Sequence, residues 1–109
     1  GGYKMSDPLI NFENMGWEHP APGVRQKVHT LGDRQVRLVE FGEGFVEPDW
    51  CTRGHVGYVL EGNMSVDFDG KILDFKAGDG IDIPKGAENR HKAKIAMGER
   101  ALLLLFEEV

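Results

Sequence analysis

The sequence has little cysteine and no long apolar run, and both absences limit what the chain can be. Its 109 residues include one cysteine, Cys51, which excludes an internal disulfide and a zinc site built from CxxC pairs. The longest apolar run, residues 101–106, is far shorter than the roughly 18 residues that a membrane-spanning helix needs. No basic segment followed by an apolar one begins the chain, so we expect no secretory signal. From the single cysteine we expect a reducing, cytoplasmic location.

Positive charge is also scarce. Thirteen Lys and Arg against 18 Asp and Glu give a net charge of −5, so we expect no nucleic-acid or anionic-membrane partner. Two motifs of enzymes are missing as well. Gly78 and Gly80 lead into a strand pattern and not into a phosphate-binding helix, and no serine lies in a nucleophile elbow.

Glycine, in contrast, is abundant. The 15 glycines of 109 residues are about double the usual ~7%, which is typical of short strands joined by tight turns. A chain of this length has room for one domain with one core. We therefore predict an all-β fold, a small jelly-roll β-barrel, with strands at 24–31, 36–41, 55–60, 64–68, 71–75, 81–83, 89–95 and 101–106, and with a turn at 61–63.

The two ends of the chain are less regular. We interpret residues 1–22 as an arm that is laid over the domain and anchored by Leu9, Phe12 and Trp17, with Gly1 and Gly2 as a cloning remnant, and residues 23–109 as the barrel. Residues 96–109 contain many helix-forming side chains. We favour a strand over a helix there, because the apolar run has the length of a fully buried strand.

Two segments resemble the two motifs of the cupin superfamily. Residues 54–66, Gly-His-Val-Gly-Tyr-Val-Leu-Glu-Gly-Asn-Met-Ser-Val, are similar to the first motif, and residues 78–86, Gly-Asp-Gly-Ile-Asp-Ile-Pro-Lys-Gly, with His91 beyond, are similar to the second. The resemblance implies a double-stranded β-helix barrel, often a homodimer, which holds a divalent metal in its mouth. It also implies isomerase, dioxygenase or lyase chemistry on a small polar molecule.

The positions of the usual cupin ligands carry different residues here. His55 stands where the first motif usually has its glutamate, and Asp49 and Cys51 stand at its two histidine positions. Asn89 occupies the histidine position of the second motif, and His91 follows two residues later. The chain therefore lacks the usual set of three histidines and one glutamate.

The remaining polar residues still have a spacing that suits a metal. Residues two apart in a strand share a face, so Asp49, Cys51 and His55 can line one wall, and Asn89 and His91 another. A carboxylate, a thiolate and two imidazoles can bind zinc, iron, nickel or copper. We predict a metal site and its pocket wall, with the ligands His55, His91, Asp49 and Cys51 and the wall residues Asn89 and Trp50.

Three functions are open at this point. The first is a metal-dependent enzyme that acts on a small polar molecule. The second is a metal-free cupin that binds a small ligand as a sensor, with Cys51 a small core residue and His91 an exposed one. The third is an interaction protein, since the run 102–105 needs an inner sheet or a subunit interface to cover it. Tyr58, on the face opposite His55, is expected at a dimer interface.

Overall fold

The computed structural model describes residues 8–109, so the interpretation of Gly1 and Gly2 falls outside the described residues. The strands are β1 (Glu18–Ala21), β2 (Val24–Leu31), β3 (Arg34–Phe41), β4 (His55–Asp67), β5 (Ile72–Lys76), β6 (Gly80–Ile83), β7 (Lys92–Lys94) and β8 (Ala101–Glu108). Two single-turn 3-10 helices lie at Phe12–Asn14 and Ala87–Asn89. Within residues 8–109, no helix has the length and apolar character that crossing a membrane requires.

The strands form a curled antiparallel sheet, and the predicted all-β jelly-roll fold is confirmed. The strand order is β1-β2-β3-β8-β4-β5, and β6 and β7 also pair with β4. The C-terminal segment is strand β8 and lies in the middle of the sheet, where Leu103 pairs with Val39 of β3 and with Val59 of β4. The preference for a strand over a helix in this segment is therefore confirmed.

Strand β4 differs from the sequence-based expectation of two strands separated by a turn at 61–63. It runs without a break over 13 residues, because a register shift after Val59 absorbs the irregularity. Gly62 adopts a φ of +82°, and a Cβ atom there would lie 1.7 Å from the carbonyl oxygen of Arg100. Only glycine fits this close approach. Gly62, which suggested a turn, therefore allows β4 to continue into the part that pairs with β5 and β7.

The N-terminal arm is anchored partly as expected. The ring of Trp17 packs under the Arg25 guanidinium at 4.1 Å and the Lys27 ammonium at 4.7 Å, while Leu9 is exposed. Strand β1 pairs with β2 and so extends the sheet into the predicted arm. The division into an arm at 1–22 and a barrel at 23–109 stays a prediction.

Alternation along β8 separates the inside of the barrel from its outer surface. Ala101, Leu103 and Leu105 are buried in the core together with aliphatic residues of β3, β4 and β6. The next residue on this inner face is a carboxylate, Glu107, which is 5% exposed. A buried carboxylate needs charged or hydrogen-bonding partners, and those partners lie at the functional site.

Candidate functional site

Backbone pairing brings two of the predicted ligands face to face. The amide of Cys51 donates to the carbonyl of His91 at 2.9 Å, and the amide of His91 donates to the carbonyl of Cys51 at 3.0 Å. His55, the first residue of β4, pairs with Ile83 of β6. The three side chains meet inside the barrel, where one ligand atom of each lies within 4.8 Å of the others.

The ring nitrogens of both histidines are oriented by their other hydrogen bonds. His91 Nδ1 lies 3.1 Å from the carbonyl oxygen of Asn89. Because a carbonyl can only accept, this nitrogen carries a proton and Nε2 remains as the ligand atom. The Nε2 of His55 lies 3.6 Å from the sulfur of Cys51, and the two rings meet edge to face at 5.1 Å between centroids.

Glu107 holds the other side of His55. Its Oε2 lies 2.5 Å from His55 Nδ1 and accepts a hydrogen bond from Arg37 Nη2 at 2.8 Å. Its Oε1 accepts hydrogen bonds from Gln35 at 2.8 Å and from Arg37 Nε at 2.9 Å. The Glu107 side chain is 1% exposed. Neither Glu107 nor Arg37 was predicted from the sequence; the available signal was a carboxylate that continues the inward alternation of a very apolar strand.

The hydrogen bonds at this site shift four pKa values. Bonds to His55 and His91 lower the pKa of the Cys51 thiol to about 6. Burial alone lowers the pKa of His55, but its bonds with Cys51 and Glu107 outweigh burial and raise the pKa to about 9. In the same way the pKa of His91 is raised, mainly by Cys51. Burial raises the pKa of Glu107, yet His55 and Arg37 hold it far below its usual range. At neutral pH the metal-free site therefore contains a thiolate beside imidazolium.

This donor set suits a divalent transition metal. A thiolate and two imidazoles are zinc ligands, and three protein ligands leave a fourth position for water or substrate, as in catalytic zinc sites. The bond from His55 Nδ1 to a buried carboxylate is the outer contact that metal-bound histidines usually make. The residues present therefore fit a metal ion without rearrangement of the strands.

The three side chains open into a cavity of about 350 Å³ in the barrel. Most of its wall is apolar, and a smaller part is charged. The apolar residues are Ala21, Val24, Phe41, Phe45, Pro48, Met64, Val66, Ile81, Ile83, Ala93, Leu103 and Leu105, and the charged residues outside the metal cluster are Arg37, Glu47, Asp49 and Arg53. Such a cavity, apolar with a few polar groups, is typical of small-molecule sites.

The other predicted site residues lie outside the three-residue cluster. Asp49 lines the cavity and is exposed. Within residues 8–109, it is not part of the group of close ligand atoms that Cys51, His55 and His91 form. The described lining of the cavity includes neither Trp50 nor Asn89. The Trp50 ring lies 4.6 Å from the Lys92 ammonium, and the carbonyl oxygen of Asn89 orients His91. The site roles of all the predicted residues stay predictions.

Comparison with known proteins gives a clear result for the fold only. No protein-family model and no curated protein matches the chain. Among solved structures, an RmlC-like cupin from Shewanella frigidimarina is 21% identical with a TM-score of 0.77, covering 94% of this chain and 91% of its own. The polyketide cyclase RemF from Streptomyces resistomycificus is 18% identical with a TM-score of 0.79, covering 94% and 80%.

A third structure, a sugar phosphate isomerase of the cupin superfamily from Silicibacter pomeroyi, is 17% identical with a TM-score of 0.76 and covers 94% of this chain and 76% of its own. Identities this low establish shared architecture, and activity is a separate question. The resemblance seen in the two sequence motifs and the comparison of whole structures agree. The chain has the fold of a small cupin domain.

Proposed function

We propose that this cupin domain is a metal-dependent enzyme that acts on a small polar molecule. The observation that carries the proposal is the convergence of Cys51, His55 and His91, whose ligand atoms lie within 4.8 Å of one another at the wall of a cavity. The ion would be zinc, iron, nickel or copper, since thiolate and imidazole ligands suit these metals. The reaction would be of the isomerase, dioxygenase or lyase type.

The protein residues have distinct parts in this proposal. Glu107 keeps a proton on His55 Nδ1 and so turns Nε2 toward the metal, and the Asn89 carbonyl does the same for His91. The apolar wall excludes water from the substrate. A divalent metal, when bound, supplies a Lewis acid at the position that the three ligands leave open.

Two of the structural neighbours are named as enzymes, a polyketide cyclase and a sugar phosphate isomerase, so the fold is compatible with catalysis. Their names say nothing of the substrate of this chain. The alternative is a metal-free cupin that binds a small ligand without catalysis. The two functions differ in whether the cluster takes up metal.

Elemental analysis of protein purified without chelators tests the proposal. We expect close to one metal ion per chain, and we expect the double variant His55→Ala/His91→Ala to lose it. The matched control is His19→Ala/His29→Ala, which removes two histidines outside the cluster and should leave the metal content unchanged. A wild-type protein that neither contains nor takes up zinc, iron, nickel or copper would contradict the enzyme proposal and favour the metal-free alternative.

The assembly and location of the protein are also proposals. The outer face of β4 and β8 exposes Val56, Tyr58, Leu60 and Phe106, and in the register of these strands Val56 pairs with Phe106. A continuous apolar face of this kind favours a second copy of the chain as its cover, so we propose a homodimer. A cytoplasmic location remains the expectation from the single cysteine.

A further inference from the structure

Arg53 lies between two of the proposed metal ligands. Its backbone amide donates to the Cys51 sulfur, and His55 follows two residues later. The residue lines the metal cavity and also a polar recess of about 390 Å³, which Glu18, Gln26 and Arg37 help to line. The Glu18 carboxylate accepts a hydrogen bond from Gln26 at 3.4 Å and forms no ion pair with Arg53. The short segment 51–55 thus places an arginine where the metal cavity meets a polar surface.

The guanidinium of Arg53 differs from most arginines of the described chain in having no acidic partner. Four of the six arginines in residues 8–109 form ion pairs: Arg25 with Glu40, Arg37 with Glu107, Arg90 with Asp69, and Arg100 with Glu40 and Glu61. Within the same range, the side chains of Arg34 and Arg53 show no ion pair. Of these two, only Arg53 lines the metal cavity.

None of the other charged groups that line the cavity forms an ion pair with Arg53. Arg37 and Glu107 neutralise each other, and the Glu47 carboxylate accepts the backbone amide of Ala93 at 2.9 Å. Asp49 is exposed on the segment before Cys51, and it forms no ion pair within the described range. Along the chain, the charged residues that line the cavity near Cys51 are therefore acidic before it, Glu47 and Asp49, and basic after it, Arg53.

We propose that Arg53 binds the anionic group of a small organic acid, whose remaining atoms fill the metal cavity. This inference rests on the proposed function, because it names the substrate class of the same site. The planar guanidinium donates parallel hydrogen bonds that match a carboxylate or a phosphate. Since a water molecule takes up about 30 Å³, a cavity of about 350 Å³ suits a compound of monosaccharide size.

Calorimetric binding to the zinc-loaded and the metal-free protein tests the inference with two matched pairs of compounds. Gluconate is compared with neutral sorbitol, and glycerol 3-phosphate with neutral glycerol. We expect each acid to bind more tightly than its neutral partner. The acid that binds more tightly of the two identifies the preferred anion as carboxylate or phosphate. Arg53→Gln should weaken binding of that acid by roughly tenfold or more, since hydrogen bonds to charged groups are lost.

Arg34→Gln is the matched control, because it removes the other arginine without an ion pair from a position away from the cavity. It should leave binding unchanged, and Arg53→Gln should keep the wild-type zinc content and melting temperature. Acids that bind no better than the neutral compounds, or equal losses in both variants, would overturn the inference. If the wild-type protein takes up none of zinc, iron, nickel and copper, the proposed function fails, and the metal-free titrations still decide the role of Arg53.

Discussion

Cys51 shows how the surroundings of a single residue set its chemistry. A buried cysteine among apolar side chains is an inert thiol with a raised pKa. Here the side chain is half-buried, and it contacts His55, His91 and the backbone amide of Arg53. All three contacts favour the thiolate, so the residue is ready to bind a metal at neutral pH.

The pKa of about 6 for Cys51 predicts how the metal-free protein responds to pH. Alkylation by iodoacetamide should accelerate with a midpoint near pH 6, and His55→Ala should move the midpoint upward because the largest cause of the shift is removed. Since folding lowers this pKa, the contribution of the thiolate to stability is lost as pH falls through about 6. A midpoint that His55→Ala leaves unchanged would contradict the assignment; His29→Ala is the control.

At the scale of the strand, β8 connects the apolar core to the site. Its inner face carries three buried aliphatic residues and then Glu107. On β3 alongside, Gln35 pairs with Glu107 and Arg37 pairs with Leu105. The carboxylate is thus held by a neighbouring strand on one side and by His55 of β4 on the other. The order of the strands, and not the local sequence, builds this network.

Glu107→Gln tests the network as a support for the metal. The glutamine amide has one acceptor oxygen, whereas the two oxygens of the carboxylate contact His55, Arg37 and Gln35. His55 is therefore less well oriented in the variant. We expect zinc affinity to fall by about 10- to 100-fold, measured by competition with a chromogenic chelator, and the free energy of unfolding to fall by about 3 kcal/mol.

Glu40→Gln is the control for this variant, because Glu40 also pairs with arginines but on the other side of β3. Its zinc affinity should equal that of the wild type, and its stability should change by less than about 1 kcal/mol. Equal zinc affinity for Glu107→Gln and the wild type would show that the carboxylate does not orient His55 for metal.

At the scale of the whole molecule, the barrel has two apolar surfaces, one inside and one outside. The inner one forms the core and the cavity wall. On the outer face, Val56 and Phe106 remain 55% and 50% exposed and Tyr58 remains 45% exposed. Water contact with so large an apolar surface is unfavourable, and a second copy would remove it.

Light scattering coupled to size-exclusion chromatography tests the dimer. We expect about twice the mass of one chain for the wild type, and monomers for Val56→Glu/Tyr58→Glu, because two carboxylates would have to be desolvated at the interface. Ile72→Glu is the control, since Ile72 is 65% exposed on β5, away from this face. A monomeric wild-type protein would contradict the dimer, as would dissociation caused equally by Ile72→Glu.

The local pattern of the sequence is enough to predict the all-β fold and most of the strands. Strand alternation and frequent turns act over a few residues, and they are visible without tertiary contacts. The same local information predicted that Asp49, Cys51 and His55 share one face and that Asn89 and His91 share another. It misplaced the turn at 61–63, because Gly62 approaches Arg100, the residue just before β8, which lies far along the chain.

By itself the sequence determined the class of fold and the two cupin-like motifs, and it predicted four metal ligands, Asp49, Cys51, His55 and His91. Only the tertiary structure decided that Asp49 lies apart from that group and that Glu107 and Arg37 support it. The physical reason is distance along the chain. Glu107 is 52 residues from His55 and 70 from Arg37, so these contacts exist only because β8 pairs with β3 on one side and with β4 on the other.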